Sequence, residues 1–274
     1  MVKKPIKWMI APFILLAKNY DLFRQSLKRE ILQKYRGSYL GILWNFILPL
    51  VMMLVYSFIF GVVFQARWDM QVSSSNAEFA VILFVGISLY SVFSETVSVA
   101  PTLITSNSNY VKKVIYPLEI LSMTGIGGTL VQLLFNLVVI LVAKAVIIRR
   151  FDAMVLLFPL VLIPLLLLTL GVSWLLSAIG VYIRDMRQAA TIITLIFGYA
   201  TPVFFPLTSV PENLRWIMEI NPMTTIVNSA RNVLIYGVFP DWTALGIVFV
   251  VSYAIMLVGF YFFQKVKPGF ADAM

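Results

Sequence analysis

The feature that most constrains this chain is a series of apolar runs, each near the length a helix needs to cross a bilayer, separated by polar or turn-rich stretches. The runs lie at residues 40–64, 79–100, 118–147, 154–182, 188–205 and 242–263, against roughly 20 residues needed to traverse the hydrocarbon core. A backbone in lipid must satisfy its own hydrogen bonds, so the runs predict helices. The expected fold class is an all-α integral membrane protein with six transmembrane helices. Composition agrees, since 61% hydrophobic and 12% charged residues over 274 positions leave too little polar surface for a soluble domain. The third and fourth runs exceed the minimum, which predicts tilt or projection, and Pro159 and Pro164 predict a kink in the fourth. The fifth is short and carries Thr191, Thr194, Gly198, Thr201 and Pro202, so it is predicted to face protein or a pore.

Residues 1–38 read as an N-terminal interfacial segment, and 39–274 as the six-span domain. The apolar run from Trp8 to Ala17 has the look of a signal peptide, but Lys18 ends it without a small-residue cleavage site. From Asp21 to Arg36, Phe23, Leu27, Ile31 and Tyr35 recur at helical spacing while Arg24, Lys28 and Arg29 fill the other face. That pattern predicts an amphipathic helix lying at a membrane surface.

Charge sets the orientation. Of 21 Lys and Arg residues, nine precede the first span, and Lys112, Lys113, Arg184, Arg187, Lys265 and Lys267 fall on the same side. The other side holds Arg67, Lys144, Arg149, Arg150, Arg215 and Arg231, balanced by six carboxylates. The positive-inside rule therefore places both termini in the cytoplasm. The net charge of +9 is then an orientation signal and a landing surface for anionic lipid, with no nucleic-acid role. Lys144, close to the outer end of its span, is expected to snorkel.

Between the fifth and sixth spans, at about 203–241, Pro211 to Glu219 reads as a short helix and Asn221-Pro222 opens a second that ends at Gly237. The pair forms a re-entrant hairpin, a pore cap, or a plain outer loop.

Several chemistries are excluded. With no His and no Cys, thiolate nucleophiles, imidazole catalysis and His- or Cys-ligated metals are out of reach. No phosphate-cradling G-x-x-x-x-G-K motif occurs, so this chain does not hold ATP by that route. The acidic residues are too scattered to hold a metal diphosphate, so no catalytic residue and no metal site is expected. Glu95 and Glu119 are the intramembrane ionisable candidates, either as coupling groups or as interfacial partners of Lys112, Lys113 or Arg184. Aromatic residues make up 14% of the chain. Trp8, Trp68, Trp216 and Trp242 suit interfacial belts. Trp44, Tyr56, Phe60, Phe197, Tyr199, Phe204 and Phe205 lie deeper, and either form a track of weak contacts for sugar rings or serve helix packing.

Four stretches carry a family resemblance. Lys28-Arg29-Glu30 through Tyr35-Arg36-Gly37-Ser38-Tyr39-Leu40-Gly41-Ile42-Leu43-Trp44 and on to Pro49 and Phe64 is the first. Asn109-Tyr110-Val111-Lys112-Lys113 through Pro117-Leu118-Glu119, then Tyr182-Ile183-Arg184-Asp185, then Thr201-Pro202-Val203-Phe204 with Asn221-Pro222-Met223, follow in order. Together they resemble the membrane subunits of ABC transporters that export O-antigen, capsule or teichoic acid. The apolar run Ile6 to Ala17 is longer than that pattern.

The resemblance implies a homodimeric permease in the bacterial inner membrane that exports an undecaprenyl-linked glycan, O-antigen first among the candidates. It implies two copies of a separate ATP-binding subunit, which hold the ATP and magnesium, so that this chain has no cofactor of its own. It implies coupling to that subunit through residues 106–116, by Asn107, Tyr110, Lys112, Lys113 and Tyr116. It implies a channel at the dimer interface lined by Tyr39, Trp44, Tyr56 and Phe60 from the first span, and by Phe197, Tyr199, Phe204 and Phe205 around the fifth. The outer pair would be gate helices. Arg24, Lys28, Arg29, Lys34 and Arg36 are expected to attract the diphosphate and anionic headgroups. The alternatives are a capsule, teichoic acid, drug or lipid exporter, or a channel or secondary carrier that works without an ATPase and depends on Glu95.

Overall fold

The computed structural model describes residues 8–63, 75–112, 116–150 and 152–274. Expectations for Lys3, Lys4, Lys7, Phe64, Arg67, Trp68, Asp69 and Lys113, and for the side chains of Tyr35, Phe60 and Lys112, fall outside the described residues. Among the described residues the secondary structure is wholly helical. Helices α1 (Ala11–Lys18) and α2 (Tyr20–Tyr35) precede α3 (Trp44–Tyr56), which a short turn at Gly41–Leu43 opens and a wider one at Ser57–Val63 extends. Then come α4 (Asn76–Leu103), the five-residue α5 (Ser108–Lys112) and α6 (Glu119–Ala143). Next are α7 (Phe158–Tyr182), α8 (Met186–Tyr199), α9 (Glu212–Glu219), α10 (Pro222–Arg231), α11 (Trp242–Val266) and α12 (Phe270–Ala273).

Five stretches among the described residues are long and apolar enough to cross a membrane: Gly41–Ile59, Asn76–Leu103, Glu119–Ile148, Ala153–Tyr182 and Trp242–Ala273. The fifth expected span, 188–205, differs. Its helix α8 has 14 residues, about 21 Å at 1.5 Å per residue, well short of the roughly 30 Å hydrocarbon core. The chain leaves the helix at Thr201-Pro202, where proline removes a backbone donor and the preceding residue is biased away from helix.

Helix α4 is the hub. Its core side chains, among them Phe79, Leu83, Leu89, Val92 and Phe93, are fully buried. It packs against α6, α7, α8 and α10, while α3 leans on α6 and α4. Helix α7 pairs most extensively with α11. Lipid tails are as apolar as leucine, so close helix approach in a membrane comes from small residues, and two crossings here depend on them. A Cβ on Gly171 would lie 2.6 Å from the Met256 backbone, and one on Gly259 would lie 2.1 Å from the Gly171 carbonyl oxygen. Where α7 crosses α4, a Cβ on Gly180 would lie 2.0 Å from the Pro101 carbonyl oxygen. Pro164 sits inside α7 and is buried, so the helix tolerates the missing backbone donor within the protein interior.

The apolar N-terminal run finds its role in packing. Trp8 meets Phe260 and Tyr261 edge-on at 6.3 and 6.0 Å, and the Tyr253 hydroxyl donates to the Met9 carbonyl at 2.8 Å. The run is a brace on the last helix.

Candidate functional site

Helix α2 forms as the spacing predicts, with Asp21 in its first turn and Lys34 in its last, each complementing the helix dipole. It lies against α6, where Gly127 leaves room for Leu27 and Phe23, whose atoms approach to 3.0 and 3.3 Å of the position a Cβ would take. Its polar face meets the segment expected to couple to an ATPase. Ser26 and the Tyr116 hydroxyl are hydrogen-bonded at 3.0 Å. Tyr110 and Tyr116 stack at 4.5 Å, and the Arg29 guanidinium lies 5.6 Å above the Tyr110 ring, a cation–π contact. Burial pushes the Tyr116 phenol above its ordinary value, with the Ser26 bond opposing that shift. Asn107 donates to the Leu103 carbonyl at 2.9 Å and ends α4. Two of the five expected coupling residues, Tyr110 and Tyr116, thus form one unit, tied to α2 by Arg29 and Ser26.

Glu119 is corrected. Among the described residues it pairs with Lys267 at 2.8 Å and not with Arg184, while Lys113 and the Lys112 side chain lie outside the described residues. Gln264 donates to the same carboxylate oxygen, and the buried Trp174 indole donates to the Glu119 carbonyl at 3.1 Å. The start of α6 is therefore locked to the ends of α7 and α11. Among the described residues Glu95 has no ion pair. It faces a cavity of about 560 Å³ that it shares with Glu30, Lys34 and Arg29. Lys144 does not snorkel: it is buried and pairs with Asp152 at 3.1 Å.

The aromatic candidates divide. Tyr39, Trp44 and Tyr199 are exposed on the flanks of the protein. Phe197 is half-buried and stacks on Phe93 of α4 at 5.6 Å. Tyr56 and Phe204 pack against the main core, and Phe205 is half-buried. Helix α8 turns Thr194 and Gly198 toward α4, where the Tyr90 hydroxyl donates to the Thr194 carbonyl. Its outer face carries Ile192, Leu195, Ile196 and Tyr199, all exposed.

At the end of the bundle opposite α2, the expected outer pair is a hairpin of α9 and α10. Asn221 caps α10 by accepting from the Met223 amide at 3.0 Å, and donates to the Thr201 hydroxyl at 2.9 Å and the Ala200 carbonyl at 3.2 Å. Helix α9 buries no residue, whereas α10 buries Met223, Ile226, Val227, Ala230 and Arg231 among α4, α7 and α11. The inner arm thus enters the bundle, which a plain outer loop does not. Its last residue was missed by charge counting, which assigned Arg231 to the outer balance. The Arg231 guanidinium donates to the Ile82, Pro202 and Val203 carbonyls at 3.2, 2.8 and 2.9 Å. Gly86 makes the space, since a Cβ there would lie 2.6 Å from the guanidinium. The available signal was an arginine within an otherwise apolar and small-residue helix.

This bundle, with membrane-length apolar helices, a half-length α8 and a hairpin whose inner arm is buried, is that of an integral membrane protein. A profile of the ABC-2 type transporter family matches residues 21–235, most of the chain, and the protein belongs to that family. It is similar to the O-antigen export system permease protein RfbA of Myxococcus xanthus, 28% identical over 250 residues covering 90% of this chain and 93% of the relative. Two proteins of the same description from Klebsiella pneumoniae are 23% and 24% identical over 256 residues, 93% of this chain and 95% of each relative. The match to the family profile starts at the amphipathic helix, so the N-terminal brace lies outside it.

Proposed function

We propose that this chain is the permease subunit of an exporter that carries a lipid-linked polysaccharide of the O-antigen class across the bacterial inner membrane. The observation that carries the proposal is the near full-length similarity to relatives described as O-antigen export permeases. The basic end, with α2, α5 and both termini, faces the cytoplasm. Helix α8 and the turns after it complete a sixth crossing, with the α9–α10 hairpin filling the outer third.

The functional unit is a homodimer bound to two copies of an ATP-binding subunit, where ATP and magnesium reside. Helix α5 docks into that subunit, and its motion passes to α2 through the Arg29, Tyr110, Tyr116 and Ser26 contacts. Helix α3 leaves most of its length uncovered, with Asn45, Pro49 and Met53 its buried residues, and α8 leaves its outer face uncovered. A second copy covering these flanks would enclose a path bordered by Tyr39, Trp44 and Tyr199, which favour weak, repeated contacts with sugar rings over tight binding. Arg24, Lys28 and Arg36 remain to attract the lipid diphosphate, whereas Arg29 is engaged with Tyr110 and Lys34 borders the cavity between α2, α4 and α6.

A strain lacking this chain should lose one surface glycan, restored by the chain in trans, and a Walker-motif subunit should co-purify with it. Loss of capsule or teichoic acid instead would reassign the polymer, and loss of no glycan would favour drug or lipid export. Transport by the purified chain alone, abolished by Glu95→Gln, would establish the ATPase-independent carrier.

A further inference from the structure

The cavity of about 560 Å³ between α2, α4 and α6 has contents that the transport path does not use. Among the described residues its charged lining is two carboxylates, Glu30 and Glu95, and two cations, Arg29 and Lys34. Lys34 acts electrostatically on both carboxylates, yet no ion pair forms within 4 Å among the described residues. Neutral donors and acceptors, including Thr96, Thr129 and Gln132, surround these groups. Arg29, Glu30, Lys34 and Glu95 are all exposed, so an occupant of this space can reach each of them.

The balance of charge selects the occupant's chemistry. Among the described residues, a diphosphate would meet as many carboxylates as cations, and a sugar would find no aromatic face bordering the cavity. A ligand carrying both an ammonium and a phosphate meets complementary charge at each end. The depth of the cavity fits a lipid headgroup. Helix α4 has 28 residues, about 42 Å, so roughly 12 Å of it stands beyond a 30 Å hydrocarbon core. Glu95 lies eight residues before Leu103, about 12 Å from that end, in the third of α4 nearest the headgroups of the basic side. Ile31, Val99 and Val131 supply apolar wall for the glycerol and first methylenes. At about 30 Å³ per liquid water, the space exceeds what a few bound waters fill.

We propose that this cavity binds a zwitterionic lipid with a primary ammonium and a phosphodiester, the ethanolamine phospholipid class, from the leaflet at the basic end. Glu95 and Glu30 take the ammonium and Lys34 takes the phosphate. The bound lipid joins α2 to α4 and α6 beside the α5 contacts. The inference does not depend on which polymer is exported.

The test uses the full-length chain in detergent with equimolar phosphatidylethanolamine and phosphatidylglycerol, counting retained lipid by native mass spectrometry. Retention of phosphatidylethanolamine should exceed that of phosphatidylglycerol about fivefold, the weight of roughly one hydrogen bond. Glu95→Gln keeps the shape and should bring the ratio near one. Gly125→Leu should do the same by filling the cavity, since a Cβ at Gly125 meets nothing within 4 Å and the fold has room for it. Equal retention by the wild type, preference for phosphatidylglycerol, or a preference unchanged in both variants would overturn the site. Competition by glycerophosphoethanolamine as effective as by the lipid would assign the cavity to a free phosphodiester and overturn the lipid assignment.

Discussion

At Arg231 a permanent charge sits inside an apolar bundle, held by three backbone carbonyls at the point where α8 has ended and α10 begins to leave. Arg231→Met removes all three bonds and should cost on the order of 3 kcal/mol. Arg231→Lys should recover little, because an ammonium cannot reproduce the planar fork. Chemical denaturation in detergent reads both, and equal stability of wild type and Arg231→Met would remove the clamp. Glu119 offers a parallel case at the basic end. Lys267→Met leaves a buried carboxylate with Gln264 as its remaining side-chain donor and should cost about 2 kcal/mol. Burial raises the Glu30 carboxyl above its ordinary value, with Lys34 opposing. The folded state then holds this proton more tightly than the unfolded one, so its contribution to stability falls as pH rises above the glutamate reference. Glu30→Gln should flatten that part of the pH–stability profile, and an unchanged profile would exclude Glu30 as its source.

Among the elements, α5 is too short to hold itself in place and is positioned by rings. Tyr110→Ala removes the stack on Tyr116 and the seat of Arg29 together, and should reduce polymer-stimulated ATP hydrolysis at least tenfold, about 1.4 kcal/mol, without loss of the folded chain. Unchanged coupling would separate α5 from energy transfer. The α7 crossings are strictly steric. Gly180→Ala cannot be accommodated without separating α4 from α7, and should prevent accumulation of the protein in the membrane. Replacement of Tyr199 by Leu should slow export while leaving the bundle intact, because Tyr199 lies on an exposed face. Phe197→Leu should act on stability, because it stacks on Phe93.

The same elements show what was readable in sequence. Apolar runs, the i, i+4 pattern of α2 and the Asn221-Pro222 boundary rest on local chemistry, and the structure has helices at each. The length of α8 was not readable, since hydropathy continues through Thr201 to Phe205 while the backbone turns away at Pro202. Pairings of distant residues also had no local signal: Glu119 with Lys267, Ser26 with Tyr116, and Arg231 with carbonyls far along the chain. The aromatic candidates looked alike in sequence, and only the packing around α4 separates Phe197 from Tyr199.

For the whole molecule, the division of labour follows from what the chain contains. It has no nucleotide motif, a short helix held against α2 at the basic end, and uncovered flanks on α3 and α8. Those features suit a path-forming subunit driven from outside itself. The most direct measurement is reconstitution of the full-length chain in liposomes, with and without the proposed ATP-binding subunit, following a labelled lipid-linked glycan across the bilayer. Movement of the glycan that requires both the partner and hydrolysable ATP is the expected result. Movement driven by this chain alone, or the absence of any movement with both subunits and ATP present, would contradict its assignment as the permease of a polysaccharide exporter.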